Sequence, residues 1–245
     1  MNGIITPTQV KPFIGVIIGD SLSLPRYKAG INIEDTYCYR LGNWWRERYG
    51  STLVWPLSKG GATIKALTAD FRAFLPYIKP QSIDAAIVHL GVVDCAPRPL
   101  PYQVRNLLGM TPPFIRDRIT KYLHNNRGRL FKLGISFRFT NPKQFRRAYQ
   151  GMLQTLSAES ARIYVINISP ATEATYNHSP NLFNSIYLYN DIIRQVVAEF
   201  KGVRLIDNYS KMQDNRVDSV AEDIHMSKQG HDYIFEQISS YEEMV

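Results

Sequence analysis

The chain has 245 residues, 44% of them hydrophobic and 20% charged, with a formal net charge of +8. That length suits one sizeable α/β domain of ordinary globular composition, and no window approaches the roughly 18 apolar residues of a membrane span. Two cysteines, Cys38 and Cys95, exclude a disulfide framework or a cysteine metal cluster and point to packed thiols in a reducing, cytoplasmic setting.

The N-terminus shows no apolar run behind a basic region, so no signal peptide is expected. Residues 13–18 are short, continuous, apolar and bounded by glycine, which predicts a buried parallel strand. The run empties into Gly19-Asp20-Ser21-Leu22. Residues 36–49 place Tyr37, Leu41, Trp44, Trp45 and Arg48 near helical spacing, and 51–57 read as a second strand ending at Ser58-Lys59-Gly60-Gly61. A helix over 64–77 has Ile64, Leu67, Phe71, Phe74 and Leu75 on one side. A third strand over 84–90 is again followed by glycine, Gly91.

Residues 97–140 break this rhythm. Pro97, Pro99, Pro101, Pro112 and Pro113 punctuate a basic insertion that is expected to hold one or two short helices, one of them over 113–125. Regular order resumes with a helix over 142–160, a strand over 162–168, a loop and a helix over 181–200. A strand over 203–206 and a final helix over 227–241 complete the chain. Alternating strands and helices imply a single domain over 1–245, a three-layer α/β/α sandwich with a mostly parallel sheet of about five strands.

A serine just beyond a strand lies at the carboxyl edge of the sheet, where α/β active sites form. Its hydroxyl is a poor nucleophile without a base, and the late turn Glu222-Asp223-Ile224-His225 offers an imidazole. Read separately, Ser21 is an ordinary helix cap and His225 a loop histidine capping the helix that starts near Ser227. His231 is expected to be structural. The surroundings of Ser21 lack the Gly-x-Ser-x-Gly elbow, which disfavours the α/β-hydrolase family proper.

Gly19-Asp20-Ser21-Leu22 resembles the first block of the GDSL, or SGNH, hydrolase family, and Glu222-Asp223-Ile224-His225 resembles its last. The resemblance implies that Ser21 is the nucleophile and His225 the base. It makes Glu222 the orienting acid, with Asp223 the alternative if the turn is arranged differently. Gly60-Gly61-Ala62-Thr63 resembles the second block, so the amides of Ser21 and Gly61 are the implied oxyanion donors. The third block departs. The family has Gly-x-Asn-Asp, whereas this chain has Gly91-Val92-Val93-Asp94, and valine cannot donate the hydrogen bond that asparagine would. Asp20 and Asp94 are expected to fix their loops and, with Arg98, to form the substrate-binding group. No metal and no organic cofactor is implied.

The positive charge is concentrated. Residues 98–147 hold twelve Lys/Arg against one acid, Asp117, while the rest of the chain has 17 basic against 20 acidic residues. Such a field attracts anions, and arginines bind carboxylate or phosphate through paired hydrogen bonds. The partner expected is therefore a small-molecule or glycan ester, anionic in character. A solvated face, or contact with an anionic membrane or partner through residues 98–147, would use the same charge. No base-reading module accompanies it, so specific nucleic-acid binding is not expected. The function these observations favour is a serine esterase that removes O-acetyl or other small acyl groups from a carbohydrate or anionic glycoconjugate. The alternatives are an O-acyltransferase using the same Ser-His site and a non-catalytic glycan- or partner-binding protein.

Overall fold

The structure is a computed structural model that describes residues 11–78, 80, 82–213 and 220–244; for residues 212, 213, 221 and 222 only the backbone is described. Strands β1 (Phe13–Gly19), β2 (Thr52–Ser58), β3 (Ala85–His89), β4 (Ile163–Ile166) and β5 (Val203–Ile206) form one all-parallel sheet in the order β2-β1-β3-β4-β5. The sheet agrees with the fold class expected from alternation. Its edge strand β2 accommodates Pro56, which a central ladder would reject.

The helices are α1 (Tyr37–Tyr49), α2 (Ile64–Phe74), α3 (Val92–Cys95), α4 (Tyr102–Gly109), α5 (Pro113–Asn125) and α6 (Arg127–Lys132). They continue with α7 (Pro142–Glu159), α8 (Glu173–His178), α9 (Asn181–Ala198), α10 (Asn208–Gln213) and α11 (Lys228–Glu243). A two-stranded antiparallel hairpin, β6 (Val220–Glu222) and β7 (His225–Met226), lies between α10 and α11.

Successive residues of β1 feed opposite faces of the sheet, as the period of two requires. Val16 and Ile18 join Leu67, Phe71, Phe145, Tyr149, Ile186 and Ile193 from α2, α7 and α9 in one apolar core. Phe13 and Ile17 join Tyr37, Leu41, Trp45, Ile234 and Ile238 from α1 and α11 in the other. Trp45 is wholly buried across Gly15, where a Cβ would come within 2.6 Å of its ring.

Three expectations need correction. The helix over 64–77 stops at Phe74, and Leu75–Tyr77 tighten into a 3-10 turn around Pro76, whose ring cannot continue an α-helix. The 97–140 insertion contains three helices, α4 to α6, rather than one or two; α5 covers 113–125 as expected. The loop after β4 contains α8, capped by Thr172.

The insertion turns little surface inward. Neither α4 nor α5 has a buried residue, and Phe131 alone is buried on α6. Among the described residues no helix is long and apolar enough to cross a membrane.

Candidate active site

The chain leaves β1 for β2 on one side and returns past β1 to β3 on the other. The carboxyl ends of β1 and β3 therefore form the switch point at which ligands enter sheets of this order. Ser21 follows β1 at this place, and Gly91 follows β3.

Asp20 builds the turn that carries Ser21. One carboxylate oxygen accepts from the Leu22 amide (3.0 Å) and the other from the Gly91 amide (3.2 Å), joining the two strand ends. The Asp20 side chain is fully buried. Burial pushes its pKa up to about 7, against the downward pull of the Leu22, Gly91 and Val92 amides. Gly19 must lack a side chain here, because a Cβ would lie 2.2 Å from Ser23 Oγ, which itself donates to the Asp20 carbonyl at 2.9 Å.

Asp94 does the same work one loop on. It accepts from the Ile64 amide at the start of α2 (2.9 Å) and from the Thr140 hydroxyl. It too is fully buried, and burial raises its pKa to about 6. Asp20 and Asp94 thus fix their loops, with no exposed surface and with oxygens already occupied by amides and a hydroxyl.

The histidine arrives from the other end of the chain. Asp223 sits at φ 53°, a left-handed conformation that Asp tolerates better than most residues, and the reversal folds β7 back along β6. The Asp223 carbonyl accepts from the Thr172 amide at 2.8 Å, which pins the turn to the start of α8. His225 Nε2 then lies 3.2 Å from Ser21 Oγ, across 204 positions of sequence. Ser227, not His225, caps α11, accepting from the Gly230 amide at 3.1 Å. His231 is buried on α11 and accepts from the Tyr37 amide at 3.4 Å, the structural position expected for it.

The other expected residues fall as follows. Gly61 occupies a turn at φ 75°, open to added volume, and neither its amide nor that of Ser21 donates to a described residue. The side chain of Glu222, the expected orienting acid, lies outside the described residues. Asp223 is turned elsewhere, its carboxylate meeting Thr175 Oγ1 at 3.5 Å. Val93 is packed in the apolar core beside Val92 and Cys95. Arg98 is half-buried, with its guanidinium 4.5 Å above the Phe139 ring.

One partner of the site is not legible in the sequence. Arg26 Nη2 lies 2.9 Å from His225 Nδ1. A guanidinium carries only donors, so this contact requires an unprotonated Nδ1 and leaves the proton of a neutral imidazole on Nε2. Nothing about an arginine 199 positions from the histidine marks it as a neighbour. Among the described residues no group of three or more His, Cys, Asp or Glu is placed to hold a metal ion.

A serine and a histidine thus meet at the switch point of a five-stranded parallel sheet, the layout of a three-layer α/β protein with a candidate Ser-His site. The chain belongs to the GDSL-like lipase/acylhydrolase family, whose model matches residues 17–233. No curated protein matches its sequence. Among solved structures it is similar to a lipolytic protein of the G-D-S-L family from Veillonella parvula (TM-score 0.60, 8% identity, covering 93% of this chain and 97% of that one). It is similar also to a lipase/acylhydrolase from Enterococcus faecalis (TM-score 0.60, 14% identity, 94% and 96% covered). A third is an acetylxylan esterase from Geobacillus stearothermophilus (TM-score 0.59, 11% identity, 94% and 95% covered). At these identities the likeness concerns the fold.

Proposed function

We propose that this protein is a serine esterase that removes O-acetyl or similar small acyl groups from a carbohydrate. The observation that carries the reading is the 3.2 Å contact between Ser21 Oγ and His225 Nε2 at the sheet's switch point. Ser21 Oγ attacks the ester carbonyl carbon while its proton passes to His225 Nε2. The amides of Ser21 and Gly61 receive the developing oxyanion. Collapse breaks the bond to the sugar oxygen, which takes the proton from His225 and departs as the alcohol. Water then gives a proton to His225 and attacks the acyl-serine; the Ser21 Oγ–acyl bond breaks, His225 returns the proton to Ser21 Oγ, and the carboxylic acid leaves.

This sequence needs Nδ1 protonated, so that Nε2 is free to accept. Catalysis therefore begins when Arg26 leaves Nδ1 and a carboxylate faces it, the role assigned to Glu222. The carbohydrate preference draws support from the acetylxylan esterase among the structural neighbours.

Two observations favour a second reading, a fold retained for binding. Val93 stands where the family has its asparagine donor, and Arg26 Nη2 lies 2.9 Å from His225 Nδ1, the nitrogen that an orienting carboxylate would face. Kinetics separate the two. An esterase gives a burst of p-nitrophenol from p-nitrophenyl acetate and releases acetate from acetylated sugars, both lost in Ser21→Ala. A binding protein gives neither.

A further inference from the structure

His225 shares a cavity of about 410 Å³ with Arg98, His124 and Arg127. The same three residues, with Arg105, line a second hollow of about 220 Å³. Arg98 and Arg127, from the α3–α4 loop and α6, therefore stand beside the catalytic imidazole, and Arg105 on α4 joins them across the second hollow.

Their surroundings hold them in place without neutralising them. Arg98 and Arg105 lie over the two reaches of one ring, Phe139, at 4.5 and 5.3 Å from its centroid. Arg127 rests on Phe131 and donates to the Pro97 carbonyl at 2.8 Å. Among the described residues none of the three forms an ion pair. The acids whose fields reach them are Asp94 for Arg98, engaged by the Ile64 amide, and Asp223 for Arg127, which lines the same cavity and meets Thr175 Oγ1 at 3.5 Å without pairing with an arginine. The Nε atoms of Arg98 and Arg127 are buried with no hydrogen-bond partner. Burial first, then the neighbouring Arg105 and Arg127, depress Arg98 to about 10.

Desolvated donors without acceptors are costly unless a ligand completes them. A lone carboxylate would offset one of three positive charges. A phosphoryl group, with two negative charges near neutrality and three acceptor oxygens, matches the set. We infer that Arg98, Arg105 and Arg127 form a subsite for a phosphate or diphosphate group carried by the substrate. Its place next to His225 rests on the esterase reading; the anion site itself does not.

Calorimetric titration with pyrophosphate tests this without any turnover, so failure of the subsite and failure of the esterase are told apart. Pyrophosphate is expected to bind wild type and Ser21→Ala alike, and to bind Arg98→Gln and Arg105→Gln about tenfold more weakly or worse. Arg105 is exposed, so its variant retains the fold even if Arg98→Gln does not. Malonate at equal ionic strength is expected to bind at least tenfold more weakly than pyrophosphate. Pyrophosphate binding no tighter than malonate, or unchanged in Arg105→Gln, overturns the inference.

Discussion

The tautomer of His225 is the finest-grained feature of the site, and it has a kinetic consequence. An Arg26 donor at Nδ1 favours the tautomer whose proton sits on the nitrogen that must accept from Ser21. Hydrogen bonds from charged donors contribute about 1.5–3 kcal/mol, so releasing this one shifts the tautomer balance by about tenfold or more. Arg26→Met keeps the aliphatic stem and removes the donor. It is expected to raise kcat for a neutral p-nitrophenyl ester by up to about tenfold in steady-state assays; a fall would mean that Arg26 supports the reaction. The serine and histidine themselves were legible because each sits in a short block of distinctive residues beside a strand or turn. Arg26 was not, and neither was the Asp94–Thr140 hydroxyl contact, because both arise only from the fold.

At the scale of elements, Gly15 decides how closely α1 approaches β1. Its Cβ would meet two Trp45 ring carbons at 2.6 and 2.9 Å, and Trp45 is wholly buried with no room to retreat. Overpacking of this kind typically costs about 1–3 kcal/mol. Gly15→Ala should lower the denaturant midpoint accordingly with an unchanged m-value, and a midpoint equal to wild type would show that Trp45 repacks freely. The central strands β1, β3 and β4 were readable because a buried parallel strand is a continuous apolar run, as in Val16-Ile17-Ile18 and Ile87-Val88. The short elements α3, α8 and α10 and the β6–β7 hairpin were not. Four to six residues carry too little periodicity, and the hairpin depends on Asp223 adopting a positive φ. The end of α2 was misplaced because apolar spacing continued through Leu75, while Pro76 stopped the helix.

Across the whole molecule, buried ionisable groups set opposing slopes of stability against pH. Asp20 and Asp94 have folded pKa values raised to about 7 and 6, above the unfolded 3.8. The folded state therefore holds extra protons between about pH 4 and those values, and stability falls as pH rises through that window. His89 and His231 are depressed to about 3 and 4 by burial, so the unfolded state holds extra protons below 6.5 and stability rises with pH there. Between pH 4.5 and 6 two protons oppose two, and wild-type urea stability is expected to stay nearly constant. His231→Gln removes one rising contribution. Its stability at pH 4.5 should exceed that at pH 6 by about 2 kcal/mol, at about 1.4 kcal/mol per proton and pH unit. Equal stability of that variant at both pH values would refute the balance.

The most direct test of the account is covalent labelling with a fluorophosphonate, followed by intact-mass and peptide analysis. Wild type should gain one adduct, located on Ser21, with none in Ser21→Ala and much slower labelling in His225→Ala. A folded wild-type protein that leaves Ser21 unmodified, or labels equally fast without the imidazole, contradicts a serine activated by His225.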